Sequence, residues 1–219
     1  MADSQETPLK HSLRTAAILL AFTLFGTALL AFTFNATRGI IERNHQEAKR
    51  ALIGEILPQA YFDNDLIAAA FELPPHPLLG NSAPTTAYRA TRNGAFAAVV
   101  LEATAPDGYS GKIRLLIAIL RNGEIAGVRV IAHNETPGLG DYIEKKKSDW
   151  IDIFRAHSLV GSKERDWQVK KDGGRFDYVT GATITPRAIV KAVYKALQYF
   201  AAHQAQLADL KDPLSGNTQ

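Results

Sequence analysis

A threonine-rich stretch beside a proline contains the residues best suited to chemistry. It reads Asp-x-x-Thr-Gly-Ala-Thr-Ile-Thr-Pro over residues 177–186. Thr185 followed by Pro186 predicts a helix N-cap and a first helical position, so Thr183 should lie just before a helix N-terminus. Free backbone N–H groups and the positive end of the helix dipole favour a phosphate there. A hydroxyl in this setting is well placed for esterification to a phosphate.

The neighbours of Thr183 fit the same chemistry. Gly181 and Ala182 are small, so a bulky group can approach the backbone, and Arg187 and Lys191 would add positive charge. These residues alone leave a plain threonine-rich helix cap open, because the motif is short and such caps are common.

A second stretch, Glu-Thr-Pro-Gly-Leu-Gly at residues 135–140, lies about 40 residues earlier. Two glycines and a proline within so few residues predict a tightly shaped loop.

Together, the two stretches resemble the FMN-binding domain family. Residues 177–183 match its Asp-x-x-Ser/Thr-Gly-Ala-Thr flavinylation motif, whose last threonine carries FMN through a phosphoester bond made by a flavin transferase from FAD with a divalent metal. Residues 135–140 match a loop of the same domain. The resemblance implies that Thr183 is the covalent attachment site. Asp177 is equally well explained as a turn residue. The other residues implied at the cofactor are Thr180, Gly181, Ala182, Asp177, Thr185, Glu135, Thr136, Gly138, Leu139 and Gly140.

Further stretches resemble the RnfG family, which is the G subunit of the Rnf (Rsx) electron-transport complex. They are residues 101–111, residues 169–174 and the apolar N-terminal region, and the resemblance extends from about Leu13 to Ala202. It implies one covalent FMN per chain, which carries electrons within a complex that couples ferredoxin/NAD electron transfer to ion translocation. The other membrane and peripheral subunits would be partners, and the chain would have no catalytic residue or independent turnover. The C subunit of the sodium-pumping NADH:quinone reductase shares the motif and is the alternative.

The composition of the chain excludes several kinds of metal site, cofactor and partner. The 219 residues include no cysteine, which excludes disulfides, Cys-ligated iron–sulfur clusters and thiolate zinc sites. The histidines, His76, His133 and His157 among them, show no metal-ligand spacing, so we expect no metal. The net charge is only +3, and the basic residues are scattered among acidic ones. Both features argue against a nucleic-acid partner. Any redox activity therefore needs a bound cofactor.

The N-terminal region predicts a membrane anchor. Residues 15–37 contain no charged side chain and are long enough to cross a bilayer, which makes the region longer than the apolar part of a cleaved signal peptide. The family resemblance implies that residues 1–14 form a cytoplasmic tail. Basic residues are more numerous after the span than before it, which by simple counting keeps the rest of the chain in the cytoplasm. The family resemblance instead implies a single-pass protein of the bacterial inner membrane with its FMN domain in the periplasm, and long domains translocate largely regardless of charge.

The rest of the chain predicts an α+β fold, an antiparallel β-meander sheet packed by helices and preceded by one N-terminal transmembrane helix. Residues 38–94 would form a helical stalk, ended by Pro58, and an irregular connecting segment. The FMN-binding domain would span residues 95–208, followed by a flexible tail at 209–219. Within it we expect strands at residues 95–102, 112–120 and 125–132, and a short strand or strand end at residues 168–171. Helices are expected at residues 142–156 and 186–207.

Two other interpretations belong to different functional classes. One is a cofactor-free, membrane-tethered extracytoplasmic binding domain. The other is a hydrolase using Ser110, which lacks the strand–elbow–helix context that such a nucleophile requires. Four aromatic residues could stack on a flavin, although packing in the core or on the surface explains each of them better. They are Tyr142, Trp150, Trp167 and Tyr178.

Overall fold

The computed structural model describes residues 8–209 as two compact units, one ending at Ala48 and the other beginning at Lys49. Residues 1–7 of the predicted cytoplasmic tail and residues 210–219 of the predicted flexible tail lie outside the described residues.

The first unit is the apolar part of helix α1 (Pro8–Ile56). Within its stretch Lys10–Gly39, the most apolar 18-residue window has a mean hydropathy of 2.2, and none of that window is buried. At 1.5 Å per residue this stretch is about 45 Å long, enough for a hydrocarbon core of about 30 Å. The hydroxyls of Thr23 and Thr33 donate to carbonyls three and four residues earlier, both at 2.9 Å, so they remain satisfied without water. The predicted N-terminal apolar helix is confirmed.

The second unit contains a five-stranded antiparallel sheet in which each strand pairs with the next along the chain. This confirms the predicted antiparallel meander and its packing by helices. The sheet has two more strands than the sequence predicted. The elements are β1 (Ala70–Leu73), β2 (Thr85–Arg92), β3 (Ala95–Ala105), β4 (Ile113–Leu120), β5 (Ile125–Ala132) and α2 (Ile184–Asp209).

The two additional strands, β1 and β2, lie where the sequence predicted an irregular connecting segment. Strand β1 has only four residues, and β2 contains mostly threonine, alanine and arginine, so neither shows a strong apolar pattern. The turn between β2 and β3 does contain a sequence pattern typical of a hairpin. Asn93 and Gly94 both have positive φ, 52° and 73°, as in the Asn-Gly hairpin turn. Segment 49–94 thus belongs to the same compact unit as the remainder of the sheet, instead of linking it to the anchor.

Both faces of the central strands are buried, which explains why β3 and β4 are almost continuously apolar. On one face, Leu101 belongs to the same core as Val193 of α2. On the other face, Val100 shares a core with Ile56, at the end of α1. A Cβ at Gly127 of β5 would lie 2.9 Å from the Ile56 Cβ, so the α1 backbone approaches the sheet closely there. The last turns of α1 are therefore a layer of this unit.

The helix predicted at residues 142–156 does not form. Two short 3₁₀ turns occupy the region, Asp141–Ile143 and Asp149–Phe154. Side chains bind the local backbone instead: Asp141 Oδ1 accepts from Gly138 N at 2.9 Å, and Ser148 Oγ accepts from Trp150 N at 3.0 Å. Such bonds compete with a continuous helix.

The short strand predicted at residues 168–171 is also absent. Val169 makes an isolated bridge to Phe176, and a 3₁₀ turn follows at Lys170–Asp172. Gly173 then adopts a positive φ of 86°. Further 3₁₀ turns occur at Gln59–Tyr61 and Glu164–Asp166.

Candidate cofactor site

The two motif stretches meet at one cleft of about 240 Å³. One wall comes from the loop after β5 and the other from the segment that enters α2. A residue from the turn between β3 and β4, Tyr109, completes the lining. The lining residues are Tyr109, Glu135, Thr136, Leu139, Gly140, Gly181, Ala182, Thr183, Ile184 and Thr185. The fold thus brings together most of the residues that the two motifs indicated, although about 40 residues separate the motifs in sequence.

Thr183 lies at the N-terminus of α2. Its carbonyl accepts a bond from Arg187 N at 3.3 Å, which makes Thr183 itself the N-cap; the sequence had placed the cap at Thr185. Its side chain is half-buried and lines the cleft. Within the described residues, the Thr183 hydroxyl has no hydrogen-bond partner. It therefore combines access, a free hydroxyl and the positive end of a helix dipole.

Thr185 has a different role from the predicted cap. Its side chain is only 1% exposed, and its hydroxyl donates a short hydrogen bond to Glu135 Oε2. Pro186 follows within the first helical turn, where a missing N–H costs no intrahelical bond. The helix begins earlier than predicted because Ile184 and Thr185 already belong to it.

Glu135 is a buried brace between three parts of the cleft. Its carboxylate, 4% exposed, accepts from Ser110 N at 3.0 Å and from the Thr185 hydroxyl. Close packing surrounds this carboxylate: a Cβ at Gly108 would lie 2.9 Å from Glu135 Oε1, and one at Gly140 would lie 3.0 Å from the Glu135 Cβ. The carboxylate therefore fixes the β3–β4 turn, its own loop and the start of α2 relative to one another.

His133 orients the Glu135 backbone. Its Nδ1 accepts from Glu135 N at 3.0 Å, and its Nε2 lies 2.9 Å from Glu144 Oε1. Because Nδ1 accepts a hydrogen bond, the ring proton resides on Nε2, which donates to Glu144. The imidazole is therefore a fixed link between the end of strand β5 and the turn that follows the loop.

The loop itself is closed by local hydrogen bonds. Gly140 N donates to Thr136 O at 2.9 Å, and Gly138 uses a positive φ of 77°. The Asp141 carboxylate accepts a hydrogen bond from Gly138 N at 2.9 Å and forms an ion pair with Lys147. The Lys147 ammonium, with the Gly138 N–H, lowers the pKa of the Asp141 carboxyl. Gly138 is outside the cleft lining and acts on the shape of the loop.

Two other predicted residues, Asp177 and Thr180, also lie outside the cleft lining and are exposed. The Asp177 carboxylate pairs with Lys170 at 2.5 Å, and its carbonyl accepts from Trp150 Nε1 at 2.8 Å. These contacts give Asp177 a loop-shaping role and leave part of its carboxylate accessible, since its side chain is 63% exposed.

The two cations predicted to add positive charge are both paired. Arg187 makes a two-bond pair with Asp172, at 2.6 and 2.5 Å. Lys191 binds Asp107 at 2.6 Å and so connects α2 to the β3–β4 turn. The positive potential at Thr183 therefore comes chiefly from the helix terminus, with little contribution from free cations.

The four aromatic residues considered as flavin contacts pack in the core and are absent from the cleft lining. Trp150 lies edge-on to Tyr142, with centroids 5.4 Å apart, and Trp167 lies 5.2 Å from Phe176. Tyr178 packs against the same core. Burial raises the pKa of Tyr142 to about 12, against an opposing contribution from the nearby Val179 backbone. Sequence reasoning missed Tyr109, which directly precedes Ser110, the residue considered as a hydrolase nucleophile.

The residues present fit a flavin phosphoester. A phosphate on the Thr183 hydroxyl would sit at a helix N-terminus, where first-turn N–H groups lack intrahelical partners. A Cβ at Gly181 would meet nothing within 4 Å, and the backbone there has φ 90°, so the approach to Thr183 is open. Within residues 8–209, no group of three or more potential metal ligands is close enough to bind an ion.

Comparison with known proteins identifies the family. The FMN-binding domain family matches residues 108–198, and the RnfG N-terminal region family matches residues 1–56. The G subunit of the ion-translocating oxidoreductase complex of Vibrio cholerae serotype O1 is 42% identical over 203 residues, covering 93% of this chain and 97% of that protein. The corresponding G subunit of Pseudomonas aeruginosa is 46% identical, covering 90% and 92% of the two chains.

A crystal structure of Shewanella oneidensis NqrC is similar at 24% identity, with a TM-score of 0.44, covering 66% of this chain and 74% of that one. The Vibrio and Pseudomonas relatives decide between the alternatives that the motifs left open, because both are G subunits and both align over nearly their whole length. The chain contains an FMN-binding domain, and it belongs to the RnfG family, the G subunits of ion-translocating oxidoreductase complexes.

Proposed function

We propose that this protein carries one FMN, esterified through its phosphate to the Thr183 hydroxyl, and passes electrons between other subunits of the complex. The observation that carries the proposal is the free Thr183 hydroxyl at the N-terminus of α2, inside the cleft where the two motifs meet. The isoalloxazine ring supplies the redox chemistry, and the chain supplies attachment and orientation.

The attachment chemistry balances without a further reactant. A flavin transferase would use FAD and a divalent metal to form a bond between Thr183 Oγ1 and the FMN phosphorus, breaking the pyrophosphate bond of FAD. AMP leaves, and the hydroxyl proton passes to solvent. The exposed Asp177 and Thr180 would be read by the transferase, since both are accessible and neither lines the cleft. Thr180, Gly181 and Ala182 would leave the hydroxyl accessible to it.

The cleft shapes what happens after attachment. At about 240 Å³ it is smaller than the roughly 300–1,000 Å³ pockets that engulf a ligand of this size, so a tethered flavin would remain partly exposed. Partial exposure suits a carrier that exchanges electrons with partner subunits. Thr136, Leu139 and Gly140 would border the flavin, and Glu135, Gly138 and Thr185 would hold that border in shape.

The cellular role extends the family assignment. We propose that the complex couples electron transfer between ferredoxin and NAD to ion translocation, and that this protein has no turnover alone. It would cross the bacterial inner membrane once and place its FMN domain in the periplasm. Covalent attachment then has a clear purpose, because a dissociable flavin would be lost from that compartment.

Flavin fluorescence of the denatured protein tests the attachment. The full chain, co-expressed with a flavin transferase, should give a fluorescent band on a denaturing gel, and Thr183→Ala should give none. Thr183→Ser, which keeps a hydroxyl, should retain fluorescence. A dark wild-type band, or a fluorescent Thr183→Ala band, would remove the proposed linkage and favour the cofactor-free tethered domain.

The absence of native cysteine allows a clean test of orientation. Val160 is 81% exposed, so Val160→Cys should react in spheroplasts with a maleimide that does not cross the inner membrane. Ser4→Cys, on the other side of the apolar stretch in sequence, should react only after lysis. The opposite pattern would place the FMN domain in the cytoplasm, as the basic-residue count suggested.

A further inference from the structure

Three of the large apolar side chains exposed in the described part of the second unit line the Thr183 cleft. Tyr109 is 67% exposed, Leu139 55% and Ile184 46%. Exposed apolar residues scattered singly need no explanation, but their concentration at one cleft indicates that something covers them. Tyr109 is the one aromatic residue among the lining residues that the structure describes.

The backbone under Tyr109 is held in place. Ser110 N donates to the buried Glu135 carboxylate at 3.0 Å, and Asp107 pairs with Lys191 of α2 at 2.6 Å. A Cβ at Gly108 would lie 2.4 Å from Gly111 O, so this turn is closed too tightly to admit a larger residue there. The turn is therefore bonded to the same loop and helix that form the other walls of the cleft. A side chain presented on such a support is preorganised for contact.

From this arrangement we infer that Tyr109 is the aromatic contact of the flavin ring, with Leu139 and Ile184 as apolar walls beside it. The inference rests on the proposed attachment at Thr183. The phenol ring presents an electron-rich face, and aromatic rings prefer offset-stacked or edge-to-face contacts with centroids about 4.5–7 Å apart. A flavin tethered at Thr183 would cover the three exposed side chains.

The contact has two measurable consequences for the flavin. An electron-rich phenol close to the ring quenches flavin fluorescence, because it donates an electron to the excited flavin and recovers it. The same electron-rich face disfavours extra negative charge, so it lowers the reduction potential of the bound flavin. Tyr109 is thus a binding and tuning residue, and it takes no part in forming the Thr183 bond.

Fluorescence before and after denaturation separates this role from attachment. The wild type, Tyr109→Leu and Tyr109→Phe are prepared as full chains in detergent after co-expression with the transferase, and native fluorescence is divided by that of the same sample after denaturation. The ratio should rise several-fold in both variants, because leucine has no aromatic ring and phenylalanine is a much poorer electron donor. Denatured fluorescence per chain should stay at the wild-type level.

Tyr61→Leu is the matched control. Tyr61 is also an exposed tyrosine, at 42%, but it lies in the 3₁₀ turn after α1 and outside the cleft lining. Its native-to-denatured ratio should equal that of the wild type. The reduction potential of Tyr109→Leu should also rise, while that of Tyr61→Leu should not change.

The outcomes distinguish the two proposals. An unchanged ratio and potential in both Tyr109 variants, with full denatured fluorescence, would overturn the role of Tyr109 and leave Thr183 intact. It would indicate that the apolar residues meet another protein of the complex instead. A dark denatured wild-type band would overturn the attachment and the role of Tyr109 together.

Discussion

Thr185→Val removes one hydrogen bond and changes little else. Valine has nearly the shape of threonine, so the substitution deletes the hydroxyl that donates to Glu135 Oε2 and preserves the packing around a side chain that is 1% exposed. The acceptor is buried as well, with Glu135 at 4%. Water therefore cannot easily replace the lost donor.

The magnitude follows from the charge of the acceptor. A hydrogen bond to a charged group contributes about 1.5–3 kcal/mol, and we expect Thr185→Val to lower the free energy of unfolding by that amount. The second bond to Glu135, from Ser110 N, remains and keeps the loss within this range. For a unit of this size, each kcal/mol shifts the melting temperature by about 2–4 °C, so the melting temperature should fall by about 3–12 °C.

The assay is thermal and urea unfolding of the full chain in detergent, followed by the fluorescence of the buried Trp150 and Trp167. Thr180→Val is the control, because Thr180 is exposed and makes no side-chain hydrogen bond within the described residues. Its stability should stay within about 0.5 kcal/mol of the wild type. If Thr185→Val and this control have the same melting temperature and the same free energy of unfolding, the hydrogen bonds of Glu135 do not hold the cleft as described.

Two further substitutions test the same site. Gly140→Ala would place a Cβ 3.0 Å from the Glu135 Cβ and should cost about 1–3 kcal/mol in urea unfolding through overpacking. Gly54→Ala, whose Cβ meets nothing within 4 Å, should instead stabilise by about 0.5–1 kcal/mol, and equal effects at both glycines would contradict the close packing. The pKa of Asp141 is lowered chiefly by Lys147, so its contribution to stability is present above the ordinary value of 3.8 and is lost as the pH falls through the lower folded-state pKa. The melting temperature of Asp141→Asn should therefore depend less on pH below 3.8 than that of the wild type, and parallel curves would exclude this role for Asp141.

The sequence predicted the central sheet well because β3, β4 and β5 are long and apolar. Strand β5 begins and ends where it was expected, at Ile125 and Ala132, and α2 differs by two residues at each end. Periodicity is most informative for such elements. By contrast, β2 pairs with β3 and β1 pairs with β2, and Tyr88 of β2 packs in one core with Ile56 of α1. The composition of β1 and β2 does not show these contacts.

The helix predicted over residues 142–156 was wrong for a related reason. Its apolar residues, such as Ile143 and Phe154, are buried, but hydrogen bonds accepted by the Asp141 and Ser148 side chains replace a continuous helix. Such local competition is a matter of geometry that the apolar pattern does not contain.

At the site, short motifs indicated which residues would meet, and the structure shows how they are held. The convergence of the two loops depends on Glu135, whose bonds to Ser110 and Thr185 span turns distant in sequence. The sequence did not identify Tyr109 as a site residue, because its relevance depends on its position at the cleft. No local sequence pattern reveals that position. The cap position moved from Thr185 to Thr183 because the helix begins before the position that Pro186 suggested.

The most direct test of the central claim is mass spectrometry of the tryptic peptide that spans Phe176–Arg187, from the full chain co-expressed with a flavin transferase. This peptide contains three threonines, Thr180, Thr183 and Thr185. Fragment ions should place one FMN, joined through its phosphate, on Thr183. An unmodified peptide, or a flavin located on Thr180 or Thr185, would contradict the account.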